Sequence, residues 1–254
     1  MRHMGSSSSL SDLVYRARLA LDDATAVCVL TGAGISAESG IPTFRDALTG
    51  LWAKFSPEQL ATPEAFEADP KLVWEWYEWR RAKVREAKPN PGHVALAALE
   101  REFMAKDFDF TLVTQNVDGL HVAAGSRRVL ELHGNILRTK CFGAHHPVAS
   151  WPGSGEIPPR CPQCGSPLRP DVVWFGENLP RDALAAAMAA AHTTAVFISV
   201  GTSTAVEPAA SLPFIAKQAG AVVIEVNPAA TPLTAHADLV LQGAAGEILP
   251  LLVD

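Results

Sequence analysis

His133-Gly134 ends the apolar run Val129–Leu132, and an imidazole set there can do chemistry. Histidine titrates near neutrality, so it can take a proton from a hydroxyl at working pH. A lone histidine is more often a hydrogen-bonded core residue. Here the glycine and the strand-end position favour a general base. The histidines at 3, 93, 121, 192 and 236 have no comparable setting, and His121 reads as a packing residue at a helix start. A second group, Gln115-Asn116-Val117-Asp118, follows the run Phe110–Val113. Amides both donate and accept, which suits a neutral polar ligand, although an Asn-Val-Asp triplet alone also describes a turn or a helix cap. A third group, Gly32-Ala33-Gly34, follows Ala26–Leu30, the order in which a buried strand delivers a dinucleotide pyrophosphate onto a tight turn. Glycine there lets the backbone turn sharply and approach phosphate oxygens, while a bare Gly-x-Gly also serves simple packing. The continuation Glu38-Ser39-Gly40-Ile41-Pro42 cannot extend a regular helix. That departure argues against ordinary hydride transfer.

Cys161-Pro162-Gln163-Cys164-Gly165 reads as a zinc knuckle, with Cys141 upstream. A closed structural site is tetrahedral and wants a second Cys-x-x-Cys, but the upstream arm is Cys141-Phe142-Gly143-Ala144. Either His145 or His146 supplies the fourth ligand, giving a Cys3His site, or zinc binds weakly, or the loop has contracted and needs no metal. Nothing suggests an open catalytic metal position. Cys28, inside an apolar run, reads as a small buried residue. Four cysteines in this arrangement are not a disulfide framework.

The segment from about Pro70 to Ala87 reads as a helix on which Val73, Trp76, Tyr77, Arg80 and Val84 share one face. The plain interpretation is an apolar core stripe with Arg80 in a surface ion pair. Val173-Trp174-Phe175-Gly176-Glu177 reads as an extended stretch with free backbone groups, able to bind a peptide by strand addition.

The elements that must position these groups alternate. Apolar β-rich runs at Ala26–Leu30, Phe110–Val113, Val129–Leu132, Ala195–Val200, Ala221–Val226 and, more weakly, Leu239–Leu241 suit parallel strands covered on both faces. Helix-like segments fall at Leu10–Asp23, His93–Met104, Arg181–Ala191, Ala205–Ala219 and Gly246–Leu252. The pattern predicts an α/β fold with a doubly wound, Rossmann-like parallel sheet, whose ligand sits beyond the carboxyl ends of the strands. Gly32, Gln115, His133, Gly201 and Asn227 all fall at or near strand ends, so five segments feed one edge.

At 254 residues, 48% hydrophobic and 19% charged, the composition is that of a globular enzyme. A net charge of −6 argues against nucleic-acid binding. No apolar run approaches the roughly 18 residues that span a bilayer. Met1 to Ser9 lacks a signal-peptide core and reads as a disordered tail or an expression remnant. The expected setting is cytoplasmic, with no membrane partner.

Taken together, Val29 to Arg45 resembles the cofactor loop of the sirtuins, NAD-dependent protein lysine deacylases. Thr114-Gln115-Asn116-Val117-Asp118-Gly119-Leu120-His121 resembles that family's second motif, Glu131-Leu132-His133-Gly134 its catalytic-histidine motif, and Val172-Val173-Trp174-Phe175-Gly176-Glu177 its substrate segment. The resemblance runs in order from about Ala26 to the C-terminus. It implies one catalytic domain over 10–254, with a Rossmann-like large part (about 10–36, 91–137 and 172–254). A smaller helical and zinc-ribbon-like part would come from two insertions (about 37–90 and 138–171), with the active site in the cleft between.

The resemblance further implies that His133 and Asn116 are catalytic. NAD contacts would come from Gly32, Ala33, Gly34, Ile35, Glu38, Thr43, Phe44 and Arg45, then Gln115, Asn116, Val117, Asp118 and His133, and later Gly201, Thr202, Ser203, Asn227, Pro228 and Ala245. Arg45 would stabilise the loop or its phosphates, and Phe44 would shield the reactive carbon. Tyr77, Arg80 and Val173 to Glu177 would hold substrate, and Cys141, Cys161 and Cys164 one structural zinc. Tyr-x-x-Arg resembles the signature of the subgroup that removes succinyl and malonyl groups. The implied reaction is NAD-consuming removal of acyl groups from protein lysines by a monomer. Its rivals are an ADP-ribosyltransferase and a non-catalytic NAD sensor or scaffold.

Overall fold

A computed structural model describes residues 9–41, 53–153 and 155–253. The strands, in chain order, are β1 (Ala26–Thr31), β2 (Asp109–Thr114), β3 (Val129–Glu131), β4 (Gly134–Cys141), β5 (Leu168–Val172), β6 (Val196–Val200), β7 (Val222–Asn227) and β8 (Leu239–Gln242). The helices are α1 (Leu10–Asp22), α2 (Ala33–Ala37), α3 (Pro63–Ala68), α4 (Pro70–Glu86), α5 (Pro91–Ala105), α6 (Leu120–Ala123), α7 (Arg181–Thr193), α8 (Leu212–Gln218) and α9 (Ala245–Ile248). All six apolar runs become strands of one sheet, in the order β3-β2-β1-β6-β7-β8 and parallel throughout.

Strand alternation sorts the sheet's side chains onto two buried faces. Val27 and Val29 pack with Leu96, Leu99, Phe103 and Ile248 on one side, beneath α1, α5 and α9. Cys28 and Leu30 pack with Phe197, Ala187 and Leu212 on the other, beneath α7 and α8. Chain connections diverge at β1, which lies between β2 and β6. The crevice at such a switch point is where this architecture binds ligands.

Apart from the sheet, β4 and β5 form an antiparallel pair. Over it α3 and α4 build a third apolar cluster around Phe66, Trp76, Tyr77, Ile136 and Trp174. This pair has no counterpart among the apolar runs, because β4 mixes its apolar residues with Asn135, Arg138 and Lys140. Its register slips between Asn135 and Thr139. Arg81 stabilises the slip, donating from Nε to the Ile136 carbonyl and from its terminal nitrogen to the Arg138 carbonyl (2.8 Å).

Three local expectations change. Ser9 is not tail: it caps α1, with its hydroxyl accepting from the Asp12 N–H and its own N–H donating to the Asp12 carboxylate. Ala205–Ala219 is not one helix but a 3-10 turn, Ala209–Ser211, followed by α8, with Pro213 in the new first turn where its missing N–H is tolerated. Gly246–Leu252 likewise divides into α9 and a 3-10 turn begun by Leu249-Pro250. No described helix is long and apolar enough to cross a membrane.

Candidate active site

The loops after β1 and β6 lock backbone to backbone. The Gly32 N–H donates to the Val200 carbonyl at 3.0 Å, Gly34 to Gly201 at 2.8 Å, and Gly201 to Val226 at 2.9 Å. A Cβ on Gly34 would stand 2.6 Å from the Gly201 Cα, and one on Gly201 would stand 2.5 Å from the Ile35 nitrogen. These glycines are therefore already required by loop-against-loop packing, before any phosphate approaches.

On this rigid base a polar cluster assembles. Asn116 donates from Nδ2 to the Gly32 carbonyl and to Ser36 Oγ, both at 3.0 Å. Ser36 in turn donates to Asp118 Oδ2 at 2.7 Å, and the Leu120 N–H donates to Asp118 Oδ1 at 2.9 Å. Burial raises the Asp118 pKa above its ordinary value, while the bonds from Leu120 and Ser36 pull it back. Gln115 Nε2 donates to Thr202 Oγ1 at 3.1 Å, tying the ends of β2 and β6 together.

His133 Nδ1 lies 2.9 Å from the Gln115 carbonyl oxygen. A carbonyl only accepts, so Nδ1 carries the hydrogen and Nε2 is left with the lone pair. Burial lowers the His133 pKa, partly offset by that same bond, so the ring is neutral and basic at Nε2 near pH 7. Gly134, at φ +79, is where β4 meets β5: a Cβ would stand 2.2 Å from the Asp171 carbonyl oxygen. The histidine's glycine is thus a demand of the second sheet.

Behind the cluster, the Thr31 hydroxyl donates to Thr114 Oγ1 at 2.8 Å, and the Asn116 N–H donates to the same oxygen at 3.1 Å. His121 Nε2 lies 2.8 Å from Thr31 Oγ1, whose hydrogen is engaged, so Nε2–H donates to it. His93 packs against His121 with ring centroids 4.9 Å apart. Burial pushes the two rings down to about 4 and about 3 respectively, so both are neutral.

The facing wall comes from α4 and the segment after β5. Trp174 Nε1 donates to the Tyr77 hydroxyl oxygen at 3.0 Å. The Arg80 guanidinium lies 4.9 Å from the Trp76 ring centroid and 5.6 Å from that of Tyr77. Burial lowers its pKa, against the pull of Tyr77 and Asp118. Arg169 is fully buried, 3.3 Å below the Trp174 ring centroid, and its two terminal nitrogens grip the Glu177 carboxylate. The Val173 N–H donates to the His133 carbonyl at 2.9 Å, so this wall is bonded to the histidine's own backbone.

The structure thus brings together Gly32, Gly34, Gln115, Asn116, Asp118, His133, Gly201, Thr202 and Val173. Other candidates make contacts of their own within the chain. Glu38 accepts from the Gly246 N–H at 2.9 Å across the base of the loop. Glu177 holds Arg169 and the Trp174 N–H. Ile35 is a core residue of the first face, and Ala245 is buried against Gly92. Val117 packs in the aromatic cluster. Asn227 donates to the Ala229 carbonyl at 3.0 Å, and the Pro228 carbonyl accepts from Gln242 at 3.1 Å. Ala33, Ser203, Phe175 and Gly176 are exposed. Thr43, Phe44 and Arg45 lie outside the described residues.

Of the backbone groups expected to be free in Val173 to Glu177, four N–H groups are engaged. Those of Val173, Trp174, Phe175 and Glu177 all have partners within the chain, Phe175 donating to the Ala61 carbonyl at 2.9 Å.

Four contributors were missed. Ser36 bridges Asn116 and Asp118, and Asn90, which caps α5, donates to the Ile35 carbonyl at 2.6 Å and to Ser39 Oγ at 3.0 Å. Arg81 and Arg169 brace β4 and Trp174. Asn90-Pro91 was legible as an N-cap with proline at N1. Arg81 was legible from its helical spacing with Trp74, Tyr77 and Val84. Ser36 and Arg169 carry no such signal.

The thiols of Cys141, Cys161 and Cys164 converge, with their sulfurs within 4.8 Å of one another and Cys141 to Cys164 at 3.4 Å. No disulfide joins them, and the three-sulfur group fits a tetrahedral zinc. Cys28 is a buried thiol in β1, pushed up to about 12 by burial and inert.

Residues 32–208 match the model of the Sir2 family. An NAD-dependent protein deacylase of Aquifex aeolicus is 56% identical over 214 residues, covering 84% of this chain and 87% of the relative. One of Thermus thermophilus is 54% identical over 239 residues, covering 93% and 92%. Among solved structures, a Sir2 homologue in complex with NAD superposes with a TM-score of 0.85 at 47% identity, covering 99% of this chain and 94% of its own. Sir2Af2 bound to a myristoylated histone peptide superposes at 0.74 with 36% identity, covering 95% of each chain. On the family match and these identities, the chain belongs to the Sir2 family.

Proposed function

We infer that this protein is an NAD-dependent protein deacylase that transfers acyl groups from lysine side chains to ADP-ribose. The observation that carries the reading is His133: its Nδ1–H is fixed on the Gln115 carbonyl and Nε2 is left basic, one main-chain hydrogen bond from Val173. When bound, NAD supplies an activated ribose carbon that the acyl oxygen attacks as nicotinamide departs. His133 Nε2 then takes a proton from a ribose hydroxyl, which frees that oxygen to accept the acyl group. Asn116, held by Gly32 and Ser36, presents a fixed amide to the nicotinamide end, and Asp118 braces Ser36. Gly201 and Thr202 adjoin the loop that would carry the phosphates.

The segments 10–36, 91–137 and 172–254 are assigned to a large part, and 37–90 with 138–171 to a small part. Separate apolar clusters on the sheet and around Trp76 support that division. Cys141, Cys161 and Cys164 would hold one zinc, whose contribution is to the fold of the small part and not to the reaction.

We assign the acyl pocket to Tyr77 and Arg80, and from it activity on succinyl- and malonyl-lysine beside acetyl-lysine. In support, Tyr77's oxygen accepts from Trp174, which leaves its hydrogen to donate, and Arg80 is a cation set against two rings. The substrates are acylated lysines on cytoplasmic proteins, met by a monomer.

The test incubates the protein with NAD and a panel of acyl-lysine peptides, with products read by mass. Nicotinamide and O-acyl-ADP-ribose should form in equal amounts. Label from the adenine half of NAD remaining on protein would establish ADP-ribosyl transfer instead.

A further inference from the structure

The cysteine cluster is built from two turns with the same backbone. In one, the Cys161 N–H donates to the Ser166 carbonyl at 2.8 Å and the Gly165 N–H donates back to the Cys161 carbonyl at 2.9 Å. In the other, the Cys141 N–H donates to the His146 carbonyl at 2.9 Å and the His145 N–H donates back to the Cys141 carbonyl at 3.0 Å. Each turn is flanked by an isolated bridge, Arg160 with Pro167 and Lys140 with Pro147. Each places its fifth residue in the left-handed region, Gly165 at φ +75 and His145 at φ +57.

Superposing the turns by these bonds pairs Cys161 with Cys141, Cys164 with Ala144, Gly165 with His145, and Ser166 with His146. The Cys161 turn therefore ligates from its first and fourth residues. In the Cys141 turn the fourth residue is alanine, whose methyl offers no ligand and whose N–H already donates to the Cys141 sulfur. His145 occupies the position that glycine holds in the twin, and its side chain is exposed. His146, half-buried and directly across the turn from Cys141, puts Nε2 3.5 Å from the Cys161 sulfur, and its ring has to draw in toward the other sulfurs to close a tetrahedron with the three cysteines. With zinc bonds of about 2.3 Å to sulfur and about 2.0 Å to nitrogen, the sulfur–nitrogen edge of a tetrahedron is about 3.5 Å.

We propose that His146, through Nε2, is the fourth zinc ligand, so that the site is Cys3His and the loss at position 144 is made good two residues later. His145 is a turn residue that takes no part in binding. The proposal rests on zinc being held by the three cysteines.

The test is zinc affinity by chelator competition, the visible spectrum of the cobalt-substituted protein, and ligand counting by X-ray absorption. Wild-type protein should hold one zinc with three sulfurs and one imidazole nitrogen. His146→Ala should weaken zinc at least about tenfold and shift the cobalt bands. His145→Gly should leave affinity and spectrum unchanged and melt no lower, since glycine suits a positive φ. The double variant Ala144→Cys/His146→Ala should regain affinity with a four-sulfur spectrum, which keeps the question answerable if His146→Ala alone is insoluble. Zinc held by three sulfurs and water, or a His146→Ala protein matching wild type, would overturn the assignment while leaving the zinc reading intact. A wild-type chain that takes up neither zinc nor cobalt would overturn both.

Discussion

At the sheet edge, polar groups are held mostly by neutral partners: His133 by a carbonyl, Asn116 by a carbonyl and a hydroxyl, Gln115 by a hydroxyl. On the facing wall they are held by charge among rings, with Arg169 gripping Glu177 beneath Trp174 and Arg80 lying against Trp76 and Tyr77. Neutral networks can be buried at modest cost, and they fix tautomers and amide orientations, which is what a proton transfer needs. Buried ions cost far more and survive only when paired, but they can discriminate a charged ligand from a neutral one. On the proposed reading the edge serves the reaction common to all substrates, and the wall tells substrates apart. Asp118 is the exception at the edge, and its field reaches Arg80 across the cleft.

The largest expected effect tests the edge. His133→Ala should lower the deacylation rate by about a hundred- to ten-thousandfold, the usual loss for a general base, while NAD binding measured by calorimetry stays near wild type. Near wild-type turnover would remove His133 from the mechanism. Because burial depresses the His133 pKa, the acid limb of the kcat/KM profile should fall below pH 6.5, with activity level from there to pH 8. Asn116→Ala should also impair turnover, with the position of the acid limb unchanged.

The next effect tests the wall. Glu177→Ala leaves Arg169, which has no exposed surface, as a buried unpaired charge, and should destabilise the protein by about 3–5 kcal/mol in denaturant unfolding. The double variant Arg169→Met/Glu177→Leu should regain most of that loss. A double variant as unstable as Glu177→Ala would show that shape, and not the uncompensated charge, governs this corner.

A smaller effect comes from behind the edge. His93 and His121 have folded-state pKa values of about 4 and about 3, below the ordinary 6.5. Below pH 6.5 the unfolded chain binds protons that the folded chain refuses, so stability falls as pH falls. Between pH 6.5 and 5 each ring should withdraw on the order of 2 kcal/mol, at about 1.4 kcal/mol per unit. Melting curves of His93→Gln and His121→Gln should be flatter over that window, even if both start lower.

The same contrast explains what the sequence disclosed. Edge residues sit at or just beyond the carboxyl ends of strands built on apolar runs, so chain position alone places Gly32, Gln115, His133 and Gly201 together. Wall residues meet by tertiary packing. Arg169 lies in a short strand without an apolar pattern, and nothing local says that it passes under Trp174. Carboxylates show the same limit. Glu38 beside the glycine loop and Glu177 beside the substrate segment suggest ligand contacts, and the fold adds what the sequence hides: one accepts from a turn remote in sequence and the other neutralises an arginine. Ser36 was passed over because a serine in a glycine-rich loop has many uses, and only the folded positions of Asn116 and Asp118 single it out.

The most selective effect concerns Arg80. If the wall exists to recognise charge, the wild-type enzyme should remove succinyl or malonyl groups at least as well as acetyl. A charge-assisted hydrogen bond to the distal carboxylate should be worth roughly 1.5–3 kcal/mol, or about a ten- to hundredfold difference in kcat/KM. Arg80→Met keeps most of the stem lying over Trp76 and Tyr77 and removes the cation, so succinyl-lysine turnover should fall by that factor and acetyl-lysine turnover should hardly change. Tyr77→Phe should show the same selectivity more weakly, and it should also lower the melting temperature because Trp174 Nε1 loses its acceptor. Equal losses on both acyl groups would mean that Arg80 braces the helix against Asp118 and the rings and reads no carboxylate. In that case charge on this wall is structural throughout, and the division of labour between edge and wall fails at the position where it is most specific.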